Sequence, residues 1–134
     1  MSNSVPQSPN SPASGASTPP ASGHGSWEFD LLSGTAWFSD WFYHRLQWPT
    51  QVKRRRLSDL RPHLPVGVWD AFLLEIRAHL ERQTPLDARI RVQVPAGLFE
   101  CWRVLGSVER NAFGKPAYLR GSMREVGAEQ CPDP

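Results

Sequence analysis

The sequence predicts an α+β domain: a five-stranded antiparallel sheet with short helices and one longer helix packed on one face. Two observations favour this class. Residues 66–83 repeat apolar side chains at helical spacing. Over residues 87–126 the apolar period changes to two, and two turn segments divide that stretch into three strands. Because short turns join antiparallel neighbours, we expect these three strands to form a meander.

Composition divides the 134-residue chain into three parts. Residues 1–26 are rich in Ser, Pro, Gly and Ala and carry no aromatic or charged side chain, so we expect a disordered tail. All six Trp and all six Phe follow it. We therefore expect one domain over residues 27–127 and a short flexible tail over residues 128–134. No stretch is apolar for long enough to span a membrane, and a net charge of +2 argues against a nucleic-acid partner.

The first elements are two short strands and a helix. Apolar and acidic residues alternate over residues 27–31, a Gly-containing turn follows, and residues 36–38 form the second predicted strand. A side-chain oxygen of Ser39 or Asp40 then caps a short helix over residues 41–48.

Residues 49–65 are broken by three prolines, which predict loops and one or two short helical turns. The basic run KRRR at residues 53–56 lies in this segment. A nucleic-acid or localisation patch is one interpretation of such a run. The near-neutral net charge and the nearby Asp59 favour a solvated loop instead.

The long helix over residues 66–83 has one apolar face at i, i+3, i+4 spacing. Its members are Trp69, Phe72, Leu73, Ile76 and Leu80. A strand over residues 87–94 follows, in which Ile90 and Val92 point away from the arginines that alternate with them. A longer strand over residues 98–110 and a hairpin lead to the closing strand over residues 117–126.

Three stretches carry a family resemblance. WEFDLLSGTAWFS resembles the opening strand pair of PAS domains of the PAS fold-3 type, and ARIRVQVPAG resembles their Arg-containing strand and Gly turn. GSVERNAFGKPAYLRGSMREV matches best, with the usual intervals from Gly106 to Gly114 and from Pro116 to Gly121. The pattern departs at residues 125–127, where Glu-Val-Gly stands in place of Asp-Ile-Thr.

The resemblance implies a non-catalytic sensory or interaction module that binds a small ligand between sheet and helices, or that binds a protein partner. Such domains usually precede an effector, a histidine kinase or a cyclic-dinucleotide enzyme. Three functions therefore remain as alternatives: a ligand-binding sensor, an interaction module with a filled core, and the sensor fragment of a larger signalling enzyme. If the chain is complete, we expect its signal to leave through a surface.

The cavity that the resemblance implies lies between the long helix and the apolar face of the sheet. We expect its lining to comprise Trp37, Trp69, Phe72, Ile76, His79, Ile90, Val92, Leu119 and Met123. His79 is a candidate haem ligand, and the alternative is a boundary histidine with one ring edge in water. The helices carry no Cys, which argues against a flavin photosensor. For the tryptophans, Trp102 included, filling a small core is the alternative to ligand stacking.

The polar face of the sheet is the predicted partner surface. Its members are Arg89, Arg91, Tyr118, Arg120 and Arg124. Arg and Tyr are enriched in interfaces, and the resemblance implies docking or homodimerisation through this face. The alternative is an ordinary solvated face of an antiparallel sheet.

The two cysteines, Cys101 and Cys131, are too few for a disulfide framework. We predict that both are free thiols. Free thiols indicate a reducing compartment, and hence a cytoplasmic location.

Overall fold

The structure, a computed structural model, describes residues 23–52, 54–95 and 97–131. Its centre is one antiparallel sheet in the order β3-β2-β1-β6-β5-β4. The strands are β1 His24–Asp30, β2 Thr35–Phe38, β3 Arg55–Arg56, β4 Leu86–Gln93, β5 Phe99–Arg110 and β6 Pro116–Val126. The predicted class is confirmed. The sixth strand, β3, is a two-residue extension of the β2 edge, too short to leave a periodic signal in the sequence.

The helices are α1 Asp40–Leu46, α2 Val68–Arg82 and two 3-10 helices, Leu57–His63 and Ala128–Gln130. We call the face of the sheet that α1 and α2 cover the inner face, and the opposite one the outer face. Alternation along β4 sends Ile90 and Val92 to the inner face and Arg89 and Arg91 to the outer face, as predicted. The strand β1 begins at His24, three residues before the domain boundary that composition predicted.

The start of α1 is fixed to the sheet by Ser39. Ser39 occupies the position before the helix, but its hydroxyl makes no capping hydrogen bond to the helix. It accepts instead from the backbone N–H of Ser26 in β1, at 2.9 Å. The predicted cap is therefore wrong in its partner, because the strand donor is better placed than the helical N–H groups.

Aromatic side chains from α1, β2 and β5 fill the core beneath the sheet. Trp102 is fully buried, and its ring centroid lies 4.6 Å from that of Trp41 and 6.0 Å from that of Phe42. Phe38 adds edge contacts to Phe42 at 4.9 Å and to Trp48 at 5.1 Å. Such tilted and edge-to-face contacts suit the ring quadrupoles, so the cluster gains specificity as well as buried area.

The hairpin of β5 and β6 requires glycine at one cross-strand pair. Gly106 and Gly121 are direct partners in this pairing. A Cβ at Gly121 would overlap the carbonyl oxygen of Leu105, so the two strands can approach only without a side chain there.

Beyond β6 the chain turns back over the outer face. The 3-10 helix Ala128–Gln130 leads to Cys131, which forms a disulfide with Cys101 of β5 across a Cα–Cα distance of 5.7 Å. The prediction of free thiols is wrong. Composition could not anticipate this return of the chain, which brings together two residues 30 positions apart. Residues 128–131 are consequently attached to the sheet, where a flexible tail was predicted.

Candidate functional site

Most of the predicted cavity-lining residues are buried. Phe72, Ile76, His79, Ile90, Val92, Leu119 and Met123 lie in the core, each no more than 6% exposed. Trp69 is half-buried, with its ring centroid 6.4 Å from that of Phe72. A void large enough for a cofactor would expose the side chains that line it. These seven side chains pack closely in the core, although Phe72 and Ile90 also border an open groove at β4.

Trp37 does not belong to this interior. It is 53% exposed and lies on the outer face, where it pairs with Glu28. Its neighbours Ala36 and Phe38 take the two buried positions of β2. The alternation of a strand forces the residue between them outward, and this signal was already present in the sequence.

Among the predicted lining residues, His79 is the one whose side chain has buried nitrogen atoms without a hydrogen-bond partner in the described part of the chain. It is 4% exposed, and neither ring nitrogen has a hydrogen-bond partner there. Burial lowers the pKa of His79, and the positive charge of Arg110 lowers it further. Both effects favour the neutral ring. The prediction of a boundary position with one ring edge in water is wrong, because the side chain is buried.

The pKa of a second histidine, His63, is also lowered by burial. Nε2 of His63 accepts a hydrogen bond from Nε1 of Trp48 at 3.1 Å, which requires that nitrogen to be unprotonated. Burial lowers the pKa of His63, an effect that the charge of Arg55 reinforces and a hydrogen bond to the Gln93 backbone opposes.

These two histidines predict acid sensitivity. Their folded-state pKa values lie below the ordinary 6.5, so the unfolded chain binds more protons once the pH falls below that value. We expect the free energy of unfolding, measured by urea titration, to fall between about pH 7.5 and about pH 5.5. A His63→Gln/His79→Leu variant should show a flatter profile. An equal loss in both proteins would contradict the assignment.

A row of three arginines crosses the outer face. Arg89 of β4 pairs with Arg103 of β5, which pairs with Arg124 of β6; we call these three residues the basic row. Asp87 offsets part of the charge, since its two carboxylate oxygens accept from Arg103 at 3.0 and 2.8 Å. These hydrogen bonds lower the pKa of Asp87 and keep its carboxylate charged.

The other end of the outer face combines aromatic and charged side chains. Arg120 lies between Glu28 and Glu109, at 2.6 and 3.1 Å from their carboxylates, and 5.3 Å above the ring of Tyr118. A shallow pocket of about 450 Å³ adjoins these residues, and both Tyr118 and Trp37 line it. We call Trp37, Tyr118 and Arg120 the Trp37 patch.

The basic run is only partly a solvated loop. Arg55 is buried, with its guanidinium 4.2 Å from the ring centroid of Trp48 and 3.2 Å from the carboxylate of Asp59. This cation–π contact holds the short strand β3 against the core. The prediction of a solvated loop is wrong for Arg55, whereas Arg54 and Arg56 are exposed.

A groove of about 710 Å³ runs along the outer edge of β4. One wall is the first half of α2, with Val68, Ala71 and Phe72; the other contains Gln130 and Cys131. Between them lie residues of β4 from Asp87 to Arg91. Because β4 ends the sheet among the described residues, the groove follows an unpaired strand edge.

The chain has the fold of PAS domains. It matches the sensory box histidine kinase/response regulator from Burkholderia thailandensis with a TM-score of 0.65 and 19% identity, covering 81% of this chain and 80% of that one. The N-terminal domain of a diguanylate cyclase with PAS/PAC sensor from Marinobacter aquaeolei gives 0.68 and 16%, covering 81% and 99%. A PAS domain from Colwellia psychrerythraea gives 0.62 and 12%, covering 77% and 86%.

No family model and no curated protein matches the sequence. Among the described residues, none of the helices combines the length and the apolar character needed to cross a membrane. The same part of the chain holds no cluster of three His, Cys, Asp or Glu side chains suited to a metal ion.

Proposed function

We propose that this chain is a PAS-type signalling domain that acts without catalysis, by binding a protein partner through the outer face of its sheet. The first partner we propose is a second copy of the chain. The closely packed interior favours this mode over capture of a small ligand. The observation that carries the proposal is the Trp37 patch, where Trp, Tyr and Arg lie together on an accessible surface.

These three residue types dominate the binding energy of protein interfaces, because they combine a large apolar area with hydrogen-bonding groups. The Trp37 side chain is 53% exposed, so much of its apolar surface contacts water. A partner that covered this surface would gain free energy from its burial. The ion pairs of Arg120 with Glu28 and Glu109 restrain its guanidinium within the patch. A partner therefore meets a surface with little side-chain entropy left to lose.

Sedimentation velocity over a wide concentration range tests this proposal. We expect reversible dimerisation that Trp37→Ala weakens by at least about tenfold, the usual effect at a binding hot spot. Arg120→Glu should weaken it as well, because it replaces the cation between two carboxylates with a third. Leu74→Ala, at an exposed apolar position on α2, is the matched control and should leave the dimer unchanged. A protein that stays monomeric throughout would contradict homodimerisation.

A second proposal concerns the effector. Two of the similar structures belong to a histidine kinase and to a diguanylate cyclase. We propose that the domain regulates an effector of one of these two kinds, through the same outer face. Co-purification of the domain with its effector, lost on Trp37→Ala and kept on Leu74→Ala, is the expected result.

The disulfide removes the support that free thiols would give to a cytoplasmic location. A disulfide persists in oxidising compartments and is reduced in the cytoplasm. Alkylation of thiols in intact cells decides the matter. Modification of both Cys101 and Cys131 would support the cytoplasm, and protection of both would place the domain elsewhere.

A further inference from the structure

We propose that the groove along β4 is a docking site for an extended peptide that adds to the sheet as a seventh strand. The peptide alternates apolar and acidic side chains. This site lies apart from the Trp37 patch, at the opposite end of the sheet, and does not depend on the proposed function.

The first feature of the site is the open edge of β4. The strand β4 is eight residues long and pairs with β5 along one side. No described strand pairs with its other side. The backbone N–H and C=O groups of such an edge are the recognition elements in β-strand addition. On that side the groove of about 710 Å³ lies between α2 and the residues Gln130 and Cys131.

The two walls specify which side chains the peptide carries. Residues that pair across strands share a face, so alternate peptide side chains would point to the inner and outer sides. On the inner side they meet Val68, Ala71 and Phe72, which favours apolar residues. On the outer side they meet Arg89 and Arg91, which favours acidic ones.

Two acidic residues, Asp87 and Glu75, line the groove together with the arginines. Asp87 also lines the groove, but both of its carboxylate oxygens accept from Arg103. Glu75 lies on the helix wall, on the side that receives apolar residues. Nη1 of Arg89 also lies 4.0 Å from Oδ1 of Asp87. Among the described residues, the outer side of the groove and its border therefore carry three arginines, Arg89, Arg91 and Arg103, and one aspartate.

Two other occupants fit less well. A second copy paired through β4 about a two-fold axis would bring its own Arg89 and Arg91 to the same side of the joined edge, and accumulating like charge there is unfavourable. Residues 1–22 of this chain contain no acidic side chain and five prolines. Proline lacks the N–H that pairing requires, so this segment makes a poor seventh strand.

The test uses an eight-residue peptide of alternating Val and Glu, acetylated, amidated and fluorescently labelled, with binding followed by anisotropy. We expect saturable binding to the full chain that weakens at least about tenfold when the Glu residues become Lys. N-methylation of every second amide should cause a similar loss, because it removes the N–H groups that would pair with β4. This control leaves the protein unaltered and does not depend on how any variant folds.

The protein variants provide the complementary arm. Arg89→Glu/Arg91→Glu should weaken binding about tenfold or more. Arg124→Glu reverses an exposed arginine on the same face but two strands away, about 10 Å, and should change binding less than about threefold. Trp37→Ala should leave peptide binding intact, so failure of the proposed dimer and failure of this site give different patterns.

Amide chemical shifts on peptide addition should change along β4 and the first half of α2. No binding of the acidic peptide, or equal binding of its N-methylated form, overturns the proposal. Shifts confined to Tyr118 and Arg120 would assign the peptide to the outer face instead. Tighter binding after deletion of residues 1–22 would show that the chain's own N-terminal segment is the occupant.

Discussion

Replacement of Trp102 by alanine is expected to lower the free energy of unfolding by about 3–5 kcal/mol. The side chain is fully buried and packs against Trp41 and Phe42. Alanine would leave a cavity that these rigid rings cannot fill. It would also remove the hydrogen bond that Nε1 of Trp102 donates to one carboxylate oxygen of Glu100. The other oxygen of that carboxylate lies 3.5 Å from Arg45. A partly buried carboxylate would thereby lose a hydrogen bond.

Urea unfolding followed by far-UV circular dichroism measures this effect, since fluorescence would change with the loss of any tryptophan. Trp37→Ala is the matched control, because the same substitution at an exposed position should change stability by no more than about 0.5 kcal/mol. If Trp102→Ala does not fold, Trp102→Phe should give a smaller loss. Equal stability of the Trp102 and Trp37 variants would refute the assignment of Trp102 to the centre of the core.

Reduction of the disulfide is expected to have the second large effect. Closing a loop between residues 30 positions apart restricts the unfolded chain, by about 3.6 kcal/mol on the chain-entropy estimate. We expect a dithiol reductant to lower the urea midpoint accordingly. The Cys101→Ala/Cys131→Ala variant should match the reduced protein and should not respond to reductant.

Thiol titration under denaturing conditions provides the direct check. The protein should show no reactive thiol before reduction and both thiols after it. An untreated protein with two reactive thiols, and with stability indifferent to reductant, would restore the interpretation drawn from the sequence.

The alternation of apolar and polar residues predicted most of the sheet, because a strand buried on one face has apolar residues at every second position. The alternation of β4 placed Ile90 and Val92 inside and Arg89 and Arg91 outside. Position in the fold was harder to predict for residues whose partners come from elsewhere. Arg55 is buried by Trp48 and Asp59, which nothing in a run of basic residues foretells.

The site was predicted less well than the fold. Tyr118 and Arg120 were predicted to lie on the outer face, and they do, but Trp37 of the same face was assigned to the cavity. The predicted cavity shares only Phe72 and Ile90 with the groove at β4, whose wall of Gln130 and Cys131 was not predicted. The groove arises from three elements that meet only in the folded state, namely α2, β4 and the segment held by Cys131.

The two edges of the sheet differ in length. At one edge β3 has two residues, both arginines, while at the other β4 has eight. A short charged edge is a poor template for another chain, and a long one is a good template. Among the described strands, β4 is therefore the one edge long enough for strand addition. Under the proposed strand addition, each copy would accept one guest strand, and growth into a filament by edge-to-edge pairing would stop at the first step.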